Sequence, residues 1–204
     1  PLDRLRDTAK PVVPLLFYRS MLLAADVAPI DALHEALGRQ GVSAVPLFVS
    51  SLKDTAVARF VEEAVGELDA AAIVSTTAFA AGADDAEQSL FDRMDVPVFQ
   101  AIVATTRHEA WRTGQRGLAP ADLAMHVVLP ELDGRILAGA ISFKAEAETQ
   151  NGLGLRTQVN RPEPDRVDQV AARLAAFLRL QATPRRERRV AILLPDYPSA
   201  PGRS

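Results

Sequence analysis

The sequence predicts an α/β fold: a doubly wound, mostly parallel sheet with helices on both faces, in Rossmann-like or flavodoxin-like layers, with a less regular second half. Three observations carry that expectation. Short apolar runs of buried-strand type recur along the chain; segments with apolar residues at helical spacing separate them; and the downstream ends of the first four runs are polar or hydroxyl-bearing. Ligands in such sheets sit beyond the carboxyl ends of the strands. Tyr18-Arg19-Ser20-Met21, Ser50-Ser51-Leu52-Lys53, Ser75-Thr76-Thr77 and Ala104-Thr105-Thr106-Arg107 therefore mark the expected site edge.

Val12 to Tyr18 reads as the first buried strand. A helix follows, with Pro29 suited to its first turn and Ile30, Leu33, Ala36 and Leu37 on one face. Val42 to Val49 is the second strand. Asp54 then stands as the N-cap of a helix whose apolar set, Val57, Phe60, Val61, Ala64, Val65 and Leu68, has the spacing of a single stripe. Ala70 to Ser75 is the third strand, Asp84 to Arg93 an acidic helix, and Pro97 to Val103 the fourth strand.

Beyond it, a short helix around His108 to Arg112 precedes one started by Pro120, with Leu123, Ala124, Val127 and Val128 on one face. Asp133-Gly134 is a turn signal, after which Arg135 to Phe143 returns as a strand. The polar, glycine-interrupted stretch from Glu146 to Pro164 reads as a loop or hinge. Val167, Val170, Ala171, Leu174, Phe177 and Leu178 define the last helix, and Val190 to Leu194 a final strand. Residues 1–104 form a first α/β unit and 105–204 a second, with a linker near 146–164, unless the two are one continuous domain.

With 204 residues and a formal net charge of -3, the chain is long enough for one sizeable core and nearly neutral. It has no cysteine, which removes disulfides, thiolate metal sites and thiol nucleophiles. No run approaches the roughly 18 apolar residues of a membrane helix, so the expectation is a cytoplasmic protein without a membrane partner. The Arg185-Arg186-Glu187-Arg188-Arg189 cluster lacks interleaved aromatics, which argues against nucleic acid and for a solvated connector. Glycine-rich dinucleotide and phosphate loops are absent, so the chain is not expected to bind ATP itself.

Among residues that carry chemistry, His34 sits one place off an apolar stripe and reads as a boundary residue. His108 and His126 lie near Glu109 and Glu131 in the chain, a mixed set suited to a divalent first-row metal, although no paired-histidine spacing occurs. Glu131 and His126 are the metal candidates. Glu131, between a proline and a turn, has the stiff placement a general base needs; an exposed turn carboxylate is the alternative. Trp111 either walls a pocket for a flat ligand or belongs to the core.

Several segments together resemble the large-subunit family of aerobic cobaltochelatase and magnesium chelatase. They are Leu16-Phe17-Tyr18-Arg19-Ser20-Met21-Leu22-Leu23, Pro46-Leu47-Phe48-Val49-Ser50-Ser51-Leu52-Lys53-Asp54, Arg116-Gly117-Leu118-Ala119-Pro120-Ala121-Asp122 and Leu129-Pro130-Glu131-Leu132-Asp133-Gly134-Arg135. The resemblance runs from about Pro11 to Tyr197 and implies an internal segment of a much longer subunit. It also implies ATP-driven insertion of a divalent metal into a tetrapyrrole, here cobalt into hydrogenobyrinic acid a,c-diamide during cobalamin synthesis. Separate AAA+ partner subunits would hydrolyse ATP.

On this resemblance Glu131 and Glu109 are the catalytic carboxylates. Arg19 and Lys53 would pair with peripheral carboxylates of the substrate, and Met21 and Trp111 would lie against it. Related sequences usually carry His in place of Met21 and Gly in place of Ala25, while Asn or Gln is common at the position of His126. A magnesium chelatase subunit, a ligand-binding module without chemistry, and a docking domain for the ATPase subunits through Arg185 to Arg189 remain the alternatives.

Overall fold

The computed structural model describes residues 9–82, 89–147 and 157–193. Five strands run parallel: β1 (Val12–Tyr18), β2 (Ser43–Val49), β3 (Ile73–Ser75), β4 (Val98–Arg107) and β5 (Ile136–Glu146). A sixth, β6 (Gln158–Pro162), pairs antiparallel with β5. The order β2-β1-β3-β4-β5-β6 reverses its direction of winding between β1 and β3, and that reversal is where such sheets leave a crevice.

Alternation along the strands sends side chains to two cores. Val13, Leu15 and Phe17 pack with α2 (Ala28–Arg39) and α8 (Pro164–Ala182) through Leu33, Leu37, Leu174 and Leu178. Val12 and Leu16 point the other way, onto Val61 and Val65 of α3 (Thr55–Glu67) and Leu90 and Phe91 of α4 (Leu90–Met94). Helices thus cover both faces, as the apolar spacing predicts. Asp54 caps α3, its carboxylate accepting the Ala56 and Val57 N–H groups at 2.8 and 3.3 Å.

Between β4 and β5 the chain makes α5 (His108–Thr113), α6 (Pro120–Leu123), a π turn (Ala124–Val128) and α7 (Leu129–Glu131). A short α1 (Arg19–Leu23) leaves β1 directly. No helix among the described residues is long and apolar enough to cross a membrane.

Three elements differ from the sequence expectation. The stretch from Glu146 to Pro164 contains β6, because Asp26 accepts the Asn160 backbone and side-chain N–H groups at 2.8 and 2.7 Å and fixes the strand from 134 residues away; residues 148–156 of the expected loop lie outside the described residues. The expected final strand from Val190 does not form: Val190 and Leu193 are 85% and 91% exposed, and β6 already occupies the sheet edge beyond β5. Leu194 lies outside the described residues. The acidic helix begins at Leu90, behind a Ser89 cap; residues 83–88 of the expected span lie outside the described residues.

The arginine cluster is exposed beside a short 3-10 turn, Arg185–Glu187. Arg188 donates to the Thr183 and Gln181 carbonyls at 2.9 and 3.3 Å, closing the end of α8. Replacing the Asp54 cap by alanine should cost about 1 kcal/mol, read as a lower urea midpoint with an unchanged m-value.

Candidate functional site

The crevice at the winding reversal is built around a loop. Because β3 is only three residues long, the chain runs on past it: Thr76 still donates to the Leu16 carbonyl of β1 at 2.9 Å, and Thr77–Gly82 continues outside the ladder. Arg135, immediately before β5, supplies the partners. Its guanidinium donates to the Thr77 carbonyl at 3.0 Å, the Phe79 carbonyl at 2.9 Å and the Gln100 side-chain oxygen at 2.9 Å, and pairs with Asp133 at 2.8 Å. Asp133 in turn accepts the Ala81 N–H at 2.6 Å. The pair is sealed, with side chains 0% and 4% exposed, and the guanidinium lies 4.8 Å from the Phe91 ring centre. Burial pulls the Arg135 pKa down from its ordinary value, and the Asp133 charge opposes that.

Tyr18, at the end of β1, donates its hydroxyl to the Ala78 carbonyl at 3.1 Å, and burial pushes the phenol's pKa above its ordinary value. The resulting cavity of about 240 Å³ is lined by Tyr18, Ser51, Lys53, Thr77, Phe79 and Arg135 among others. It lies at the carboxyl ends of β1, β2 and β3, where the polar strand ends placed it.

A second buried carboxylate organises the next stretch. Asp122 is fully buried and accepts the Thr105 N–H and hydroxyl, each at 2.8 Å, and the Thr106 N–H at 2.7 Å, with the Thr106 hydroxyl as fourth donor. Burial raises its pKa, but the four donors outweigh that and hold it below the ordinary value. The Thr106 hydroxyl also accepts the Ala119 N–H at 2.8 Å, so this one side chain ties the end of β4 to the start of α6. His126, one turn on, is buried with Nε2 4.0 Å from Asp122 and Nδ1 unpartnered. Burial lowers its pKa, the Asp122 charge pushes back and Arg135 adds to the lowering.

The sequence candidates fall into separate places. Lys53 lines the crevice, whereas Arg19 is exposed at the start of α1. Met21 is buried in the core beside α2. Glu131 is exposed at the end of α7, and Glu109 is exposed in α5 on a second cleft. The carboxylate beside His108 is Glu163, at 2.7 Å, and that beside His126 is Asp122; neither is the chain neighbour that spacing suggested. Trp111 stacks on Phe143 at 4.1 Å between ring centres. No group of three or more His, Asp or Glu that could hold a metal ion occurs among the described residues. Sequence reasoning missed Asp122, Asp133 and Arg135, which sit inside the motifs quoted above.

The family model described as CobN/Magnesium Chelatase matches residues 3–204. The chain belongs to this family. It is 41% identical over 97% of its length to the aerobic cobaltochelatase subunit CobN of Pseudomonas aeruginosa, covering 16% of that protein. The CobN subunit of a Sinorhizobium species is 34% identical over 95% of the chain, with 15% of it covered. Among solved structures, the catalytic subunit of cobaltochelatase from Mycobacterium tuberculosis superposes with a TM-score of 0.69 at 27% identity, over 85% of this chain and 15% of that one. The chain thus spans about a sixth of the CobN relatives it matches, and Asp122, Asp133 and Arg135 are its buried framework within that family.

Truncating Arg135 to leucine should cost about 3–5 kcal/mol, because it strands Asp133 as a buried unpaired charge; a double-mutant cycle with Asp133→Asn should show strong coupling in urea unfolding. His126 gives a pH dependence. Its folded pKa lies below the unfolded value of 6.5, so the unfolded chain binds more protons there. Its contribution is therefore complete above that value and lost as pH falls through it. The stability advantage of wild type over His126→Gln should shrink between about pH 7.5 and about pH 5.

Proposed function

We propose that this chain forms part of the large subunit of a cytoplasmic aerobic cobaltochelatase. In this reading it contributes to holding the tetrapyrrole while cobalt enters hydrogenobyrinic acid a,c-diamide, a step of cobalamin synthesis, and separate AAA+ subunits hydrolyse ATP. The observation that carries the reading is the crevice at the β1–β3 reversal, together with the chain's similarity to CobN relatives. At about 240 Å³ it is smaller than the roughly 300–1,000 Å³ of pockets that enclose a whole small molecule. It fits one edge of a macrocycle, with Lys53 supplying charge for a peripheral carboxylate and Phe79 an apolar wall.

Metal insertion removes two pyrrole protons and strips water from the ion, so a carboxylate able to accept protons is required. The buried carboxylates are committed: Asp122 to four donors and Asp133 to Arg135. Glu131 is free of such a role and stands on fixed backbone, its carbonyl accepting the Gly134 N–H at 3.0 Å two residues from the sealed Asp133. We assign it the proton-accepting step, with Glu109 as the second carboxylate and Arg19 as a further contact for substrate carboxylates. Coordination of cobalt would be completed by residues elsewhere in the subunit.

The test uses the full-length subunit with its partners. Glu131→Gln should lower chelatase turnover by about a hundredfold or more while tetrapyrrole binding, followed by fluorescence quenching, stays at the wild-type level. Unchanged turnover removes Glu131 from the chemistry.

A further inference from the structure

The carboxyl ends of β4 and β5 and the strand β6 bound a second cleft of about 290 Å³, walled by Arg107, His108, Glu109, Lys144, Glu146 and Arg161 among others. Arg107, Lys144 and Arg161, on three adjacent strands, are among its lining residues. Arg107 and Lys144 are register partners, just past a break in the β4–β5 pairing. Like charges set opposite each other on neighbouring strands are destabilising, and such irregularities are common beside functional sites.

Lys144 has partial relief from Asp26 at 3.7 Å, but that carboxylate also accepts two hydrogen bonds from Asn160. Neither the Arg107 nor the Arg161 guanidinium has a hydrogen bond or ion pair among the described residues. The wall between them is rigid: His108 Nε2 lies 2.7 Å from Glu163, and its ring sits 5.8 Å from Trp111 and 6.1 Å from Phe143.

We propose that this cleft binds a carboxylate group, with Arg107 and Arg161 supplying forked donors and Lys144 supplying charge. The bound anion offsets the repulsion between Arg107 and Lys144. Exposed Glu109 and Glu146 share the rim and lower the net positive charge, which suits a single carboxylate better than a polyphosphate. That the carboxylate belongs to a peripheral side chain of the tetrapyrrole rests on the function proposed above.

Trp111 is the single tryptophan of the chain and adjoins His108, so its emission reports on the cleft. Titration of the chain with citrate should change that emission saturably. The double variant Arg107→Gln/Arg161→Gln should bind citrate at least about tenfold more weakly, with a urea midpoint that does not fall. Arg179→Gln, on the exposed side of α8, should bind as wild type. Hydrogenobyrinic acid a,c-diamide should displace citrate, and sulfate at matched ionic strength should not. No saturable change in the wild type, equal affinity in the double variant, displacement by sulfate, or failure of the tetrapyrrole to displace citrate would each overturn the proposal. A full-length subunit that lacks chelatase activity, while citrate binds and the tetrapyrrole displaces it, would instead sink the function proposed above and leave the cleft standing.

Discussion

The buried ion pair between Arg135 and Asp133 is the interaction on which the crevice depends. Desolvating two charges is costly, and a buried pair returns that cost only when its remaining hydrogen-bonding capacity is filled. Here most of the filling partners are the backbone of the loop after β3: two carbonyls on the guanidinium and two N–H groups on the carboxylate, with the Gln100 side chain as a further acceptor and Arg135 Nε left without a partner. Beyond Thr76 the loop has no ladder to join, so the pair supplies much of what it needs. Phe79 shows how firmly: it holds a left-handed φ of 64°, rare without glycine, while its N–H reaches the Met125 carbonyl and its own carbonyl accepts from Arg135.

This arrangement separates two sets of polar side chains. Asp122, Asp133, Arg135 and His126 are buried, and the first three spend their hydrogen bonds on one another, on neighbouring polar side chains and on backbone. Glu131, Glu109, Lys53 and Arg19 are open to solvent. Met21 belongs with neither set, since it fills the core. Ala25 lies nearby in the chain with a φ of 52°, a backbone state that glycine adopts without strain.

The strands and the long helices were legible because burial imposes period 2 or 3.6 on a contiguous stretch, as in α3 and α8. The crevice was legible in outline, since strand order puts polar strand ends on one edge. The rest depends on contacts distant in sequence. β6 has no alternation of its own and is held by Asp26. Asp133 followed by glycine reads as a turn, and its bond to Ala81, 52 residues away, leaves no local trace. In the Leu-Pro-Glu-Leu-Asp-Gly-Arg motif, attention therefore falls on the exposed glutamate while two buried residues beside it set the loop.

The π turn over Ala124–Val128 has a bearing on evolution as well as on shape. A turn of this kind holds one residue more than the α-helical turn it interrupts, so it acts as an insertion absorbed without breaking the helix. Asp122 lies on its upstream side, locked to β4, and Glu131 lies downstream. Because the wide turn takes up that extra residue, losing one residue there would return the segment to α-helical winding with Glu131 and Asp133 facing as before, whereas a deletion in the α-helical turns on either side would swing everything beyond it by about 100°. The wide turn is thus the place in this segment where length can change while the flanking side chains keep their register.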